Sequence, residues 1–219
     1  MSAQPVRHLA VGLSAESVAG AWARQEGAPN GAVVTLDAEV AGRLRGGVPA
    51  PPGPAAAVIV RPSLLVGDED RLWVAALVAA HRTIDPPGST RVGWPDLIQM
   101  DARPVAFVNV TSQLGPGRIE MAIITLRTVE TSLMPNARNF SDAVLNSTSC
   151  TESDFSDLAA AYAGCSGIYG RRVLIRFLPR GETRGTVTGF DSDGRLRIET
   201  PTGMVELLPT SSVRSVEVI

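Results

Sequence analysis

Gly185-Thr186-Val187-Thr188-Gly189-Phe190-Asp191-Ser192-Asp193-Gly194-Arg195-Leu196 reads as a strand, an acidic turn and the start of a second strand. Asp and Gly are the residues that close tight turns, because Asp bonds its own backbone and Gly accepts a positive φ. Working outward, the same texture repeats. Strands are expected at Arg172–Leu178, Thr183–Phe190, Leu196–Thr200, Gly203–Leu208 and Val213–Val218, with turns at Arg180-Gly181, Asp191–Gly194 and Pro201–Gly203. Short strands with turn signals at this spacing predict a small SH3-like β-barrel. Its boundary falls at about Ser166–Arg171, which divides the chain into residues 1–168 and 169–219.

Upstream the pattern is mixed. Val6 to Leu13 and Ala32 to Asp37 read as strands, and Ser14 to Gln25 as a helix with Ser14 as N-cap and Glu16 in its first turn. Ala55 to Pro62 is apolar enough for a buried central strand. Asp68-Glu69-Asp70 opens a helix to about His81. Arg91 and Val92 end a short strand before a turn at Gly93-Trp94-Pro95-Asp96. Ala102–Thr111 and Arg118–Val129 form a long hairpin closed by a loop at Ser112–Gly117. Thr131 to Cys150 reads as irregular, with one helical turn near Phe140, and Glu152 to Ala163 as a helix capped by Thr151 or Ser153. The fold class is therefore α+β: a mixed sheet with helices on one side, then the small barrel.

Composition excludes several functions. Hydrophobic residues make up 44% and charged residues 19% of the 219, which suits a packed globular chain. A net charge of -2 and 5% aromatic content leave no footprint for nucleic acid or an anionic membrane. No apolar run reaches a membrane span. Met1 to Leu13 lacks the continuous apolar stretch of a signal peptide, so a cytoplasmic protein with Cys150 and Cys165 as free thiols is expected. All 20 basic residues are arginine. Schiff-base, general-base and P-loop lysine chemistry are thereby excluded, and arginine stays charged at neutral pH. His81, Cys150 and Cys165 lack metal-ligand spacing, no Gly-x-Ser-x-Gly elbow occurs, and the sequence names no cofactor.

The long segment Ala41-Gly42-Arg43-Leu44-Arg45-Gly46-Gly47, followed by Pro49, Pro51, Pro52 and Pro54, cannot form a regular element and reads as a loop. Arg43 and Arg45 are either anion ligands or solvated loop charges. Trp94 either stacks on a ligand or packs its turn onto the core. Asp96 is a pocket carboxylate or a turn residue. Glu152, Asp154 and Asp157 suit the start of a helix without any catalytic role. The same account, of position alone, suffices for His8 in a strand and His81 near a helix C-terminus.

Taken together, the arginine loop after a strand, the Arg91-Val92-Gly93-Trp94-Pro95-Asp96-Leu97 turn and the C-terminal strand–turn–strand resemble the biotin protein ligase and lipoate ligase superfamily. The loop is similar to the family's GRGRxG and the turn to its KWPND. The resemblance implies a sheet of the class II aminoacyl-tRNA synthetase and biotin ligase kind with packed helices, and a C-terminal SH3-like barrel. It implies a ligand site at Arg43, Arg45, Gly46, Trp94, Asp96 and Arg103, a small carboxylate or acyl-adenylate ligand, and a biotinyl or lipoyl carrier domain as partner.

The departures fall on the chemistry. Gly93 stands where the turn has lysine, and its asparagine is missing before Asp96. Pro104 falls at the place of the family's catalytic lysine, with Arg103 beside it. Ile123–Thr128 replaces the family's GxGxN strand end, and Leu44 replaces a glycine of the arginine loop, which implies the loss of a positive-φ position there. Losing one electrostatic contact of this kind costs about 10²–10³ in rate. The expected function is a diverged, ligase-like pseudoenzyme that binds without ligating. Two alternatives stay open: a non-catalytic interaction or scaffold protein, with a homodimer formed through a sheet edge, and an acyl ligase using arginine in place of lysine.

Overall fold

The structure, a computed structural model, describes residues 4–84, 88–153 and 155–219, and of 150–153 the backbone only. Strand β1 (Val6–Gly12) leads through helix α1 (Ala15–Gln25) to β2 (Val33–Glu39), and β1 and β2 pair in parallel. The antiparallel strands β3 (Gly53–Val60), β4 (Thr90–Gly93), β5 (Leu97–Met100), β6 (Arg103–Gly115) and β7 (Arg118–Thr128) complete a seven-stranded sheet in the order β1-β2-β3-β7-β6-β5-β4. Helix α2 (Glu69–Ile84) joins β3 to β4, and α3 (Ala137–Ser153) and α4 (Phe155–Cys165) follow β7.

Helices cover both faces of this sheet, not one. The cause lies in β3, whose residues are apolar at both parities. Ala56, Val58 and Val60 join Val33, Ile124 and Leu126 beneath α2, α3 and α4. Ala55, Ala57 and Ile59 join Val34, Leu36, Met121 and Ile123 beneath α1. A strand buried on both sides needs cover on both sides.

Three further readings of the sequence are corrected. The segment after Thr131 is helical from Ala137 onward, not irregular. Its Asn, Ser and Thr content conceals this, since these residues favour caps and turns. Here Asn136 Oδ1 accepts from the backbone N–H of Arg138, Ser141 Oγ donates to Gly31 O at 2.8 Å, and Phe140 and Val144 enter the core. Strand β5 was not expected at all. It is closed onto β6 by Asp101 and Ala102, both at positive φ, and alanine gives no turn signal. Residues 112–115 belong to β6, so the hairpin turn shrinks to Pro116 and Gly117. The expected caps Thr151 and Ser153 and the acids Glu152 and Asp154 lie outside the described side chains, as does Cys150. Cys165 is buried, and its Sγ donates to Tyr162 O at 3.4 Å.

The C-terminal strands are β8 (Arg172–Phe177), β9 (Glu182–Phe190), β10 (Leu196–Glu199), β11 (Val205–Leu208) and β12 (Val213–Val218). They form an antiparallel five-stranded sheet in the order β11-β10-β9-β8-β12. Among the described residues β11 and β12 pair on one side only, so the SH3-like sheet is not closed by a ladder. Its inner residues Val173, Ile175, Val187, Leu196, Ile198 and Val213 share one continuous core with α2 and α4. Gly194, at φ +85°, sits against the backbone of Asp70 and Arg71, where a Cβ would clash. The Asp-Gly turn is thus the point of contact with the start of α2. No helix among the described residues is long and apolar enough to cross a membrane.

Candidate ligand face

The sheet face that carries α1 becomes polar beyond the helix. Ser14 is extended and its Oγ accepts from Ser17 N–H, which starts α1 at Ala15. The free Ala15 N–H donates to Glu39 Oε1 at 2.8 Å. Glu39 is turned inward where the β2–β3 register shifts between Leu36 and Glu39. Its carboxylate meets the Arg127 guanidinium, through Nε to Oε2 and through Nη2 to Oε1 at 3.3 Å. Arg127 lies in the cross-strand row Leu97–Phe107–Arg127–Ala55. Glu16 completes the cluster: it accepts from Asn109 Nδ2 at 2.9 Å and Thr111 Oγ1 at 2.7 Å, and lies 3.8 Å from Arg127 Nη2.

Glu39 and Arg127 are only 2% and 4% exposed. Two carboxyl groups thus face one guanidinium. Gly42 closes over it, and a Cβ there would overlap the Glu39 carboxylate and approach Arg127.

The arginine loop is ordered as a small hairpin. Arg43 bridges Pro49, Leu44 N–H donates to Val48 O at 2.7 Å and Ala50 N–H to Gly42 O at 2.9 Å. Gly46 and Gly47 take positive φ, whereas Leu44 has φ -84° and strains nothing. Arg43 is exposed and folds back to donate to Gly47 O. Arg45 is nearly buried and has three partners: Asp96 Oδ2 at 3.3 Å, Thr210 O at 3.2 Å and Arg214 O at 3.0 Å. It fastens the loop to the C-terminal sheet. Burial pushes the Asp96 carboxyl above its ordinary range, and the Arg45 guanidinium pulls it part of the way back.

Trp94 points into the core. Its ring packs edge-on to Tyr162 with centroids 6.1 Å apart and lies 5.0 Å from Phe190. Arg103 is exposed at the start of β6, opposite Met100. Of the six residues expected at the site, the structure brings Arg45 and Asp96 into contact and keeps Gly46 beside them. At the β4–β5 edge a cleft of about 320 Å³ is lined by Gly93, Leu97, Gln99 and Ala102, by Val216 and Val218 of β12, and by Trp94, which thus reaches this cleft while packing into the core.

Sequence reasoning missed Glu16, Glu39, Asn109, Thr111 and Arg127 as a cluster. One signal was present. Arg127 ends the apolar run Met121–Leu126 of a strand buried on both faces, and a buried charge demands a partner.

Residues 168–212 match the biotin protein ligase C-terminal domain. The whole chain superposes on the biotin protein ligase of Aquifex aeolicus in complex with biotin and ATP, with a TM-score of 0.70 and 14% identity over 99% of this chain and 100% of that one. A biotin protein ligase-like protein of unknown function from Silicibacter gives 0.66 at 14% identity, over 95% of each chain. The Leishmania major enzyme in complex with biotinyl-5-AMP gives 0.59 at 16%, over 94% of this chain and 99% of that one. No curated protein matches the sequence. The chain is biotin ligase-like in fold from end to end, and its C-terminal part carries that family's sequence pattern.

Proposed function

We propose that this chain uses the biotin ligase fold to bind a small carboxylic acid without activating it. The observation that carries the reading is the Glu39–Arg127 pair. Adenylation brings a carboxylate and a triphosphate together, and cations must neutralise the charge that develops. Here the buried guanidinium on the ligand face is outnumbered by Glu39 and Glu16, Arg45 is held by Asp96 and two carbonyls, and the chain contains no lysine. The face therefore suits the apolar body of an acid better than a nucleotide. The cleft beside Leu97 is near the lower size limit for a small-molecule site.

Titration calorimetry and thermal shift with biotin, lipoate, octanoate and their adenylate analogues test this. One of the free acids should raise the melting temperature, and its adenylate should bind no more tightly. Intact-mass analysis after incubation with ATP and a biotinyl or lipoyl acceptor domain should show no added mass. Loading of the acceptor at an ordinary enzymatic rate would sink the proposal and restore the arginine-dependent ligase. Silence with every acid would favour the second reading, an interaction protein, which draws support from the loop already fastened across the face by Arg45.

A further inference from the structure

We propose that the open cavity between the end of β3 and the start of β7 binds an oxyanion, a phosphate or carboxylate group, carried on a short apolar body. The cavity measures about 610 Å³, a size that admits a small molecule. It lies at the far end of the sheet from the ligand face. Arg118 opens β7 and Arg127 stands next to its last residue, so the strand separates them by roughly 30 Å.

The cavity forms where the chain leaves β3. Pro62 has no N–H and cannot extend the ladder. The chain then returns to β7: Ile119 N–H donates to Leu64 O at 2.9 Å, and Leu65 bridges Arg118. This return buries Leu64 and Ile119 with Leu72 and Ala122 in a small core of their own. Pro62, Leu64 and Ile119 are thereby the buried, apolar part of the cavity lining.

Two guanidiniums line the same cavity, from Arg61 and Arg118, both exposed. Arg61 is already oriented. Its backbone N–H donates to Asn30 Oδ1 at 2.9 Å and its Nη2 to Ala28 O at 3.0 Å. An arginine carries five N–H donors, and among the described residues Nε and Nη1 of Arg61 have no partner. Neither Arg61 nor Arg118 has a carboxylate partner among the described residues, in contrast to Arg45, whose donors are taken up inside the fold. One acid, Glu120, also lines the cavity, with its carboxyl group lying in the space that a Cβ on Gly115 would need. Two cations and one acid around an apolar lining favour an anion, and the planar guanidinium fork matches an oxyanion. The apolar lining suits an alkyl group behind that head.

The test uses the full chain. Butyl phosphate should shift the amide resonances of Arg61, Leu64, Leu65 and Ile119 and leave those around Arg127 in place. It should bind at least about fivefold more tightly than inorganic phosphate, because the alkyl chain gains apolar contact. Arg118→Gln and Arg61→Gln should each weaken it about tenfold by removing charge-assisted hydrogen bonds. Pentanoate is the carboxylate arm: binding of either anion that both variants weaken supports the site, and the tighter one names the preferred head. Resonances of the four residues that stay unmoved by both anions at millimolar concentration overturn the proposal. So does binding that both variants leave unchanged, butylammonium binding as tightly as butyl phosphate, or inorganic phosphate doing so. Pentanoate and butyl phosphate that shift only the resonances around Arg127 would speak for the ligand face and against this cavity.

Discussion

The C-terminal sheet from Arg172 to Val218 and the sheet face around Arg127 share one molecule but are specified in different ways. The first is built from neighbours in sequence. Strands alternate inward and outward, and the Asp191–Gly194 turn closes on itself, with Asp191 Oδ1 accepting from the N–H groups of Asp193 and Arg195. The second is built from residues far apart in the chain. Arg127 meets Glu39 across 88 positions, and Arg45 meets Asp96 across 51 and Thr210 across 165. The sequence pattern of the biotin protein ligase C-terminal domain is matched within the first of these regions, at residues 168–212. Local turn chemistry constrains its own residues directly, whereas a face assembled from distant strands can change its polar groups while the backbone stays.

The largest effect that would break this contrast concerns the buried pair. Arg127→Met leaves Glu39 buried beside the N-terminus of α1 without its cation. It should cost about 3–5 kcal/mol in denaturant unfolding. The double variant Arg127→Met with Glu39→Leu should recover more than half of that loss. A cost under 1 kcal/mol for the single variant, against the ~3–5 expected for a broken buried pair, would show that the pair is not holding the face together.

Trp94 gives an effect of similar size for a different reason. It ties α4 to β9 through Tyr162 and Phe190, so Trp94→Ala should cost about 3–5 kcal/mol by cavity formation. Unchanged thermal stability together with lost ligand binding would return Trp94 to the ligand side of the comparison.

Arg45 spans both regions, and its removal should be intermediate. Arg45→Met loses hydrogen bonds from a charged donor and should cost about 1–3 kcal/mol, with faster proteolysis between residues 43 and 49. Arg43→Ala and Arg103→Ala, at exposed positions, should each stay within about 0.5 kcal/mol of the parent. Equal effects of all three substitutions would argue against Arg45 as the fastener.

The smallest expected effect is a pH dependence at the junction of the two regions. Asp70 accepts from Thr210 N–H at 2.8 Å. Burial raises its carboxyl above the ordinary 3.8, with the Thr210 hydrogen bonds opposing. A group that holds its proton more tightly when folded contributes stability that is complete below the unfolded value and is lost as pH rises through the folded one. Asp70→Asn keeps an acceptor for Thr210 and removes the charge. The variant should be slightly more stable than the parent at neutral pH, and the difference should vanish on acidification towards pH 3.8. A difference that grows on acidification contradicts the sign.

The legibility of the fold followed the range of the interactions. Ser14 as a cap, the apolar run of β3 and every strand of the C-terminal sheet could be read because their causes lie within a few residues. Helix α3 could not, since its Ser, Thr and Asn residues are held helical by burial against the sheet and not by propensity. Strand β5 could not, because Asp101 and Ala102 make a hairpin turn without glycine or asparagine. At the site, the arginine loop and the Trp-Pro turn were visible as motifs. The direction of Trp94 and the partners of Arg45 were not.

The amino-acid sequence alone determined the absence of lysine, the strand–turn rhythm of the C-terminal sheet and the position of the arginine loop, because composition and periodicity need no third dimension. Only the tertiary structure decided that Arg127 is matched by Glu39, that Arg45 is fastened to the C-terminal sheet and that Trp94 belongs to the core. Each of those outcomes depends on which distant side chain desolvates the group and which one pairs with it, and no local pattern encodes that choice.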